Sequence, residues 1–258
     1  MIQYLYLGRI GYAEGLALQQ EIVELRYQGR VDNVLLLLEH PPVLTLGRNA
    51  QRSNVLATDE MLAKKGIAIH EINRGGDVTY HGPGQLVGYP IFDLRSLPKS
   101  NDPEGSWRLG PVDYVRRIEE ALIRLCASYG VLTGRIAGRT GVWTNADQSK
   151  EKKIGAIGVH VSRGITSHGF ALNVTTDLRD FQWIVPCGIA DREVTSLERE
   201  ISDSAKTPSL EQAADLVARN FGRVFYQPVF AVESLDALRA NATATPQVGV
   251  PIGVPEEV

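Results

Sequence analysis

The chain has 258 residues, 43% of them hydrophobic, and a formal net charge of −3. That charge gives a nucleic-acid partner no support, and two cysteines are too few for a disulfide-built secreted domain. The apolar run at 34–38 is far shorter than the ~20 residues that cross a bilayer, and the N-terminus lacks the basic start and long apolar centre of a secretory signal. A cytoplasmic chain with no membrane partner is therefore expected, with apolar material for one core or two closely joined lobes.

In chain order, IQYLYLG predicts a strand, and YAEGLALQQEIVELRYQG has helical spacing with Gly29 as its stop. Two apolar segments, 34–38 and 43–46, flank His40-Pro41-Pro42 and read as strands joined by a rigid corner. Strands are also expected at 67–72 and 85–92, with a glycine-rich stretch at 73–84 between them. The polar interval near 98–109 reads as an exposed loop, followed by a helix at 111–129. Cys126 sits on the apolar face of that helix with Ile118, Leu122 and Leu125, as a buried core thiol would.

The second half returns to strands at 131–136, 141–144, 153–161 and 168–174. Helical signals follow at 191–200 and 209–220, the latter with Thr207 or Ser209 as its cap. After Val229 the pattern weakens. The expectation is a catalytic domain at 1–230 and a flexible Pro/Gly/Ala-rich tail at 231–258. Strands that follow one another without an intervening helix predict an α/β (α+β) fold with a mixed, largely antiparallel sheet and packed helices, not a doubly wound or barrel architecture. Neither common nucleotide-binding loop, GxGxxG or GxxxxGK[ST], is present.

Three segments could carry chemistry. The first, Arg74-Gly75-Gly76-Asp77-Val78-Thr79-Tyr80-His81, interleaves glycines that allow close backbone approach with polar anchors; the plain alternative is a connecting loop. In the second, Lys153 leads into Ile154-Gly155-Ala156-Ile157-Gly158, whose small residues leave room for an apolar chain beside the backbone. Its lysines would otherwise be solvated loop residues. In the third, IVPCGI, Cys187 stands between a proline that fixes the backbone and a glycine that removes steric cover. A reactive thiol there needs access and a positive neighbour; an inert one needs neither. The five histidines show no HExxH and no pairing with a CxxC, so no metal site is indicated.

RGGDVTYHGPGQLVGYPIFDL, KKIGAIGVHV with HGFALNV, and FQWIVPCGI together resemble the lipoate-biosynthesis octanoyltransferase family, in that family's order and across about 3–225. The resemblance implies a fold shared with lipoate-protein and biotin protein ligases. It also implies octanoyl transfer from octanoyl-loaded acyl carrier protein to a lysine of lipoyl domains, in 2-oxoacid dehydrogenase subunits and the glycine-cleavage H protein. Neither ATP nor a metal cofactor is needed, since the donor is already a thioester, and a monomer is expected. By motif, the nucleophile maps onto Cys187 and its partner onto Lys153. The substrate-binding groups map onto Arg74, Gly75, Gly76, Asp77, Val78, Thr79, Tyr80 and His81, onto Ala156, Ile157 and Gly158, and onto Gly169, Phe170 and Ala171.

A free cysteine with a pKa of about 8.5 is only slightly thiolate at neutral pH, and a nearby ammonium raises that fraction. At ~4 Å and an effective dielectric of ~20 the attraction is about 4 kcal/mol, partly offset by desolvation of both charges. His81 could orient Cys187 or the acyl carbonyl. The rival readings are an ATP-dependent ligase on the same fold, which would not need Cys187, and a noncatalytic binding module, which would need neither Cys187 nor Lys153.

Overall fold

The computed structural model describes residues 1–99, 109–146, 150–185 and 193–242. Its strands are β1 (Ile2–Arg9), β2 (Asn33–Glu39), β3 (Val43–Leu46), β4 (Ala68–Glu71), β5 (Val78–His81), β6 (Gln85–Ile91), β7 (Thr133–Ile136), β8 (Arg139–Thr144), β9 (Lys152–Ser162), β10 (Ile165–Asn173), β11 (Glu193–Val194) and β12 (Val229–Ala231). The helices are α1 (Tyr12–Tyr27), α2 (Asp59–Lys64), α3 (Pro111–Ser128), α4 (Leu197–Glu200), α5 (Leu210–Phe225) and α6 (Leu235–Asn241).

Nine strands form the main sheet in the order β12-β1-β2-β6-β10-β9-β8-β7, with β11 alongside β9. Its centre, from β2 through β6, β10 and β9 to β8 and β7, is antiparallel; the pairs β12/β1, β1/β2 and β11/β9 are parallel. A second sheet, β4-β3-β5, stands apart. This is the mixed, largely antiparallel architecture that the strand pattern predicts. The His40-Pro41-Pro42 corner carries the chain from β2 in the first sheet to β3 in the second, because proline cannot extend either ladder.

One face of the main sheet packs on α3 and α5, through Leu122, Leu125, Phe221 and Phe225. Ser209 caps α5 in a reciprocal capping box with Gln212, which settles the choice between Thr207 and Ser209. Cys126 is fully buried in this core, and burial pushes its thiol up to about 12. The other face packs on α1 and α6 through Leu18, Ile22 and Leu238. The small sheet has its own core, built from Leu44, Leu62, Val78, Tyr80 and Phe181.

Two elements differ from expectation. Of the stretch expected to be helical at 191–200, the described part, 193–200, is helical only at Leu197–Glu200, and Glu193–Val194 is extended beside β9. The tail expected from 231 is ordered as far as 242. There Leu238 of α6 and the following Ala242 are buried against the α1 side, and Arg239 pairs with Glu21 at 2.7 Å. A seven-residue helix is marginal alone, so its packing partner, not its propensity, forms it. Residues 243–258 lie outside the described residues, as does the expected loop from 100 to 108.

Candidate active site

Lys153 reaches the site because β9 is bulged. Trp143 pairs with Lys153 and Val142 with Gly155, so Ile154 is an extra residue in the ladder. Ile154 is buried in the α3 core, and a Cβ on Gly155 would meet Leu122 on that same side at 3.4 Å. The bulge therefore shifts the alternation by one. Lys153 is brought onto the face of Ala156 and Gly158, although simple counting would separate odd from even positions. Its ammonium lies 4.7 Å from the centre of the Trp143 ring. It also passes Gly141, where a Cβ would stand 3.7 Å from the lysine nitrogen and only 2.7 Å from the Gly155 carbonyl.

On that face lies a cavity of about 230 Å³, below the ~300–1,000 Å³ usual for drug-sized ligands and so suited to a thin one. Lys153, Arg74, Gly75, Gly76, Asp77, Thr79, His81, Ala156, Ile157, Gly158, Gly169, Phe170 and Ala171 all line it. Val78 and Tyr80 do not. The glycine-rich stretch contains β5, whose alternation turns Thr79 and His81 inward and sends Val78 and Tyr80 into the small sheet's core. There the Tyr80 hydroxyl donates to Asp180 Oδ2 at 2.7 Å.

Close backbone approach holds the cavity's rim. Gly75 N–H donates to the Val159 carbonyl at 3.0 Å, and a Cβ on Gly158 would come within 2.8 Å of the Gly75 carbonyl. Asp77 caps this loop, accepting from Val78 N–H at 2.7 Å and from the Asn54 amide. Arg74 is buried with one guanidinium nitrogen on the Thr45 carbonyl (2.8 Å) and hydroxyl (2.9 Å). It is thus a fixed positive charge at the cavity wall.

The histidines around that charge are neutral. Burial, then the neighbouring His40, holds His81 down to about 3, and burial, then Arg74, holds His168 down to about 4. A buried relay fixes the His81 tautomer. Asn173 Nδ2 donates to the Thr195 carbonyl (2.9 Å), and Gln85 Nε2 donates to Asn173 Oδ1 (2.9 Å). Gln85 Oε1 therefore faces His81 Nδ1 at 2.7 Å, which must donate, leaving Nε2 as the lone-pair nitrogen. An acceptor there suits a thiol or amine proton and not an acyl carbonyl, which narrows the role open to His81. The relay ends beside the lysine, since Thr195 N–H donates to the Lys153 carbonyl at 2.9 Å.

Tyr12, Val87, Tyr89, Thr140 and His168 also line the cavity and were not singled out from sequence. Tyr12 opens a helix and Tyr89 sits within a strand, so periodicity alone assigns both to a core. His168 does carry a signal once the backbone is known: its φ is +56°, a left-handed conformation unusual for a non-glycine residue. Cys187 lies outside the described residues, whereas the chain just beyond that segment, Glu193–Val194, pairs with Lys152 and Lys153. Among the described residues, no helix is long and apolar enough to cross a membrane. No group of three or more His, Cys, Asp or Glu there could hold a metal ion.

The two-sheet architecture and the lysine-bearing cavity define a class, and the model of the lipoyl protein ligase A/B catalytic domain matches residues 11–222. The chain belongs to that family. Within it, the chain is 64% identical over 247 residues to the octanoyltransferase of Acidobacterium capsulatum, covering 95% of this chain and 99% of that one. It is 53% identical to the octanoyltransferase of Koribacter versatilis, covering 92% and 90%. The bi-partite lipoate protein ligase of Thermoplasma acidophilum superposes with a TM-score of 0.66 at 17% identity, over 93% of this chain and 90% of that one, and so shares the fold. The chain is thus an enzyme, an acyltransferase of the octanoyltransferase type.

Proposed function

We propose that the enzyme moves an octanoyl group from octanoyl-loaded acyl carrier protein to a lysine of a lipoyl domain, through a thioester on Cys187, in the cytoplasm and without ATP or metal. The observation that carries this reading is the bulge that brings Lys153 into line with the small-residue floor of a narrow cavity. In the proposed step the Cys187 thiolate attacks the octanoyl thioester, and the carrier's thiol leaves. The recipient lysine's amine then attacks the acyl-enzyme, Lys153 assists proton transfer, and the cysteine thiol is regenerated.

The acyl chain lies along β9 and β10 against Ala156, Gly158, Gly169 and Ala171, with Phe170 and Val87 nearby. Backbone pairing of Gly75 with Val159 keeps the rim closed over it. His81 Nε2 accepts a proton from a thiol or an amine. The partners follow from the chemistry: a carrier that presents a thioester and a recipient that presents an exposed lysine.

The test is intact-mass analysis after mixing the enzyme with octanoyl-loaded acyl carrier protein, without ATP. The expected result is an octanoyl adduct that disappears when a lipoyl domain is added and fails to form in Cys187→Ala. Full transfer by that variant, or a requirement for ATP, refutes the mechanism. Thiol alkylation followed against pH, with and without Lys153→Ala, checks the lysine's role. An unchanged alkylation profile removes thiol activation from its assignment.

A further inference from the structure

A second cavity, of about 400 Å³, follows the first along the same strands and mixes Leu16, Val23, Ile72 and Ile165 with Gln19 and His160. Four segments run past both in the same direction. On α1, Tyr12 lines the first cavity, and Leu16, Gln19, Gln20 and Val23 line the second. On β9 the change falls between Gly158 and His160; on β10 it falls between Gly169 and Ser167; on the loop after β4 it falls between Arg74 and Asn73.

His168 lines both cavities. Its ring nitrogen Nε2 donates to Asn73 Oδ1 at 2.7 Å, and its backbone N–H donates to Gln19 Oε1 at 2.7 Å. The residue is 6% exposed and held at φ +56°. A non-glycine backbone kept in that region needs its surroundings to hold it there, and here Gln19 and Asn73 grip the same residue from both ends. In this conformation the ring reaches Asn73, which lines the second cavity, while the residue also lines the first.

We propose that His168, latched by Asn73, is the chain-length gate of the acyl site: it closes the end of the cavity remote from Lys153 and bars longer chains from the second cavity. This rests on the reading above, in which the acyl carbonyl sits toward Lys153 and the methyl end runs toward Gly158. His168 stands opposite Val159 on the neighbouring strand, one residue past Gly158, so the gate falls where that path ends. Beyond it, Leu16, Val23, Ile72 and Ile165 offer apolar surface to a longer chain.

The experiment compares transfer of octanoyl and dodecanoyl groups from acyl carrier protein by the whole enzyme and its variants. His168→Gly removes the ring and places the residue best suited to φ +56°. Its kcat/KM ratio of dodecanoyl to octanoyl should rise about ten-fold or more, since single methylenes in a closed pocket already discriminate by about ten-fold or more. Asn73→Ala, which only releases the latch, should shift the ratio in the same direction by less. His168→Asn, which also tolerates a left-handed backbone but keeps a polar side chain at the gate, should lie between wild type and His168→Gly.

Calorimetric binding of dodecanoic against octanoic acid gives the same comparison where turnover is lost. An unchanged preference in His168→Gly by both measurements, with octanoyl transfer by wild type intact, overturns the gate alone. Failure of wild type to transfer octanoyl at all overturns the underlying reading and the gate with it.

Discussion

Replacing Asn173 with leucine should damage the fold and the site together. Asn173 is 4% exposed, and its two amide atoms hold the Thr195 carbonyl and Gln85 Nε2, each at 2.9 Å. Leucine fills much of the same space but strands both partners. Gln85 keeps its weaker bond to the Tyr80 carbonyl at 3.2 Å, so its loss is partial, whereas the Thr195 carbonyl loses its amide donor. At about 1–3 kcal/mol for each stranded buried group, the cost comes to roughly 2–4 kcal/mol, a large part of a typical stability of ~5–15 kcal/mol. With a urea slope of ~3 kcal/mol per molar, appropriate to a chain of this size, the unfolding midpoint should fall by about 1 M.

The catalytic effect should appear separately. With only the 3.2 Å bond to the Tyr80 carbonyl left to orient it, the Gln85 amide holds the His81 tautomer less firmly. Octanoyl transfer should then fall in kcat more than in KM, at temperatures where the variant remains folded. Equilibrium urea unfolding followed by fluorescence, with steady-state transfer on the same preparation, measures both. A midpoint shift below ~0.2 M with unchanged kcat would refute the claim that the relay is an obligatory buried network.

Glu119 is fully buried, bonded to Arg116 at 2.7 Å, Arg135 at 3.0 Å and the Gly141 N–H at 3.1 Å. Glu119→Ala should cost about 3 kcal/mol, the low end for a broken buried pair because both arginines can turn to solvent, and calorimetry should show Tm falling by roughly 6–12 °C. Gly158→Ala would press a Cβ to within 2.8 Å of the Gly75 carbonyl, whereas Gly155→Ala meets nothing nearer than 3.4 Å. The first should lose about 1–3 kcal/mol and much of its activity, and the second should be nearly neutral, as urea unfolding and transfer rates will show. Unfolded, His81 and His168 bind protons near the usual 6.5; folded, they resist until about 3 and about 4. The unfolded state therefore binds more protons as pH drops below 6.5. Stability is full above that point and declines by up to ~1.4 kcal/mol per pH unit for each histidine, levelling off below the folded values. Urea unfolding from neutral pH to about pH 5 should show this slope, and His81→Gln should flatten it.

Much of this protein is local and therefore legible in its sequence. The helix at Pro111–Ser128, the buried Cys126 and the long strands β9 and β10 follow from periodicity, which needs only a segment's own residues. Dense glycine beside charge marked 74–81 as a candidate site for the same reason: close approach and polar anchoring are properties of residue type. Which side chains of that stretch face the cavity was decided by pairing. Thr79 and His81 are separated from Val78 and Tyr80 only once β5 docks on β3. Lys153 shares a face with Ala156 only because the ladder with β8 absorbs Ile154 as an extra residue. Helix α6 exists because α1 offers it an apolar face, and His168 keeps its left-handed backbone where Asn73 and Gln19 hold it. Residue type sets what a position can do chemically; register, bulges and partners, which come from distant parts of the chain, set where it points.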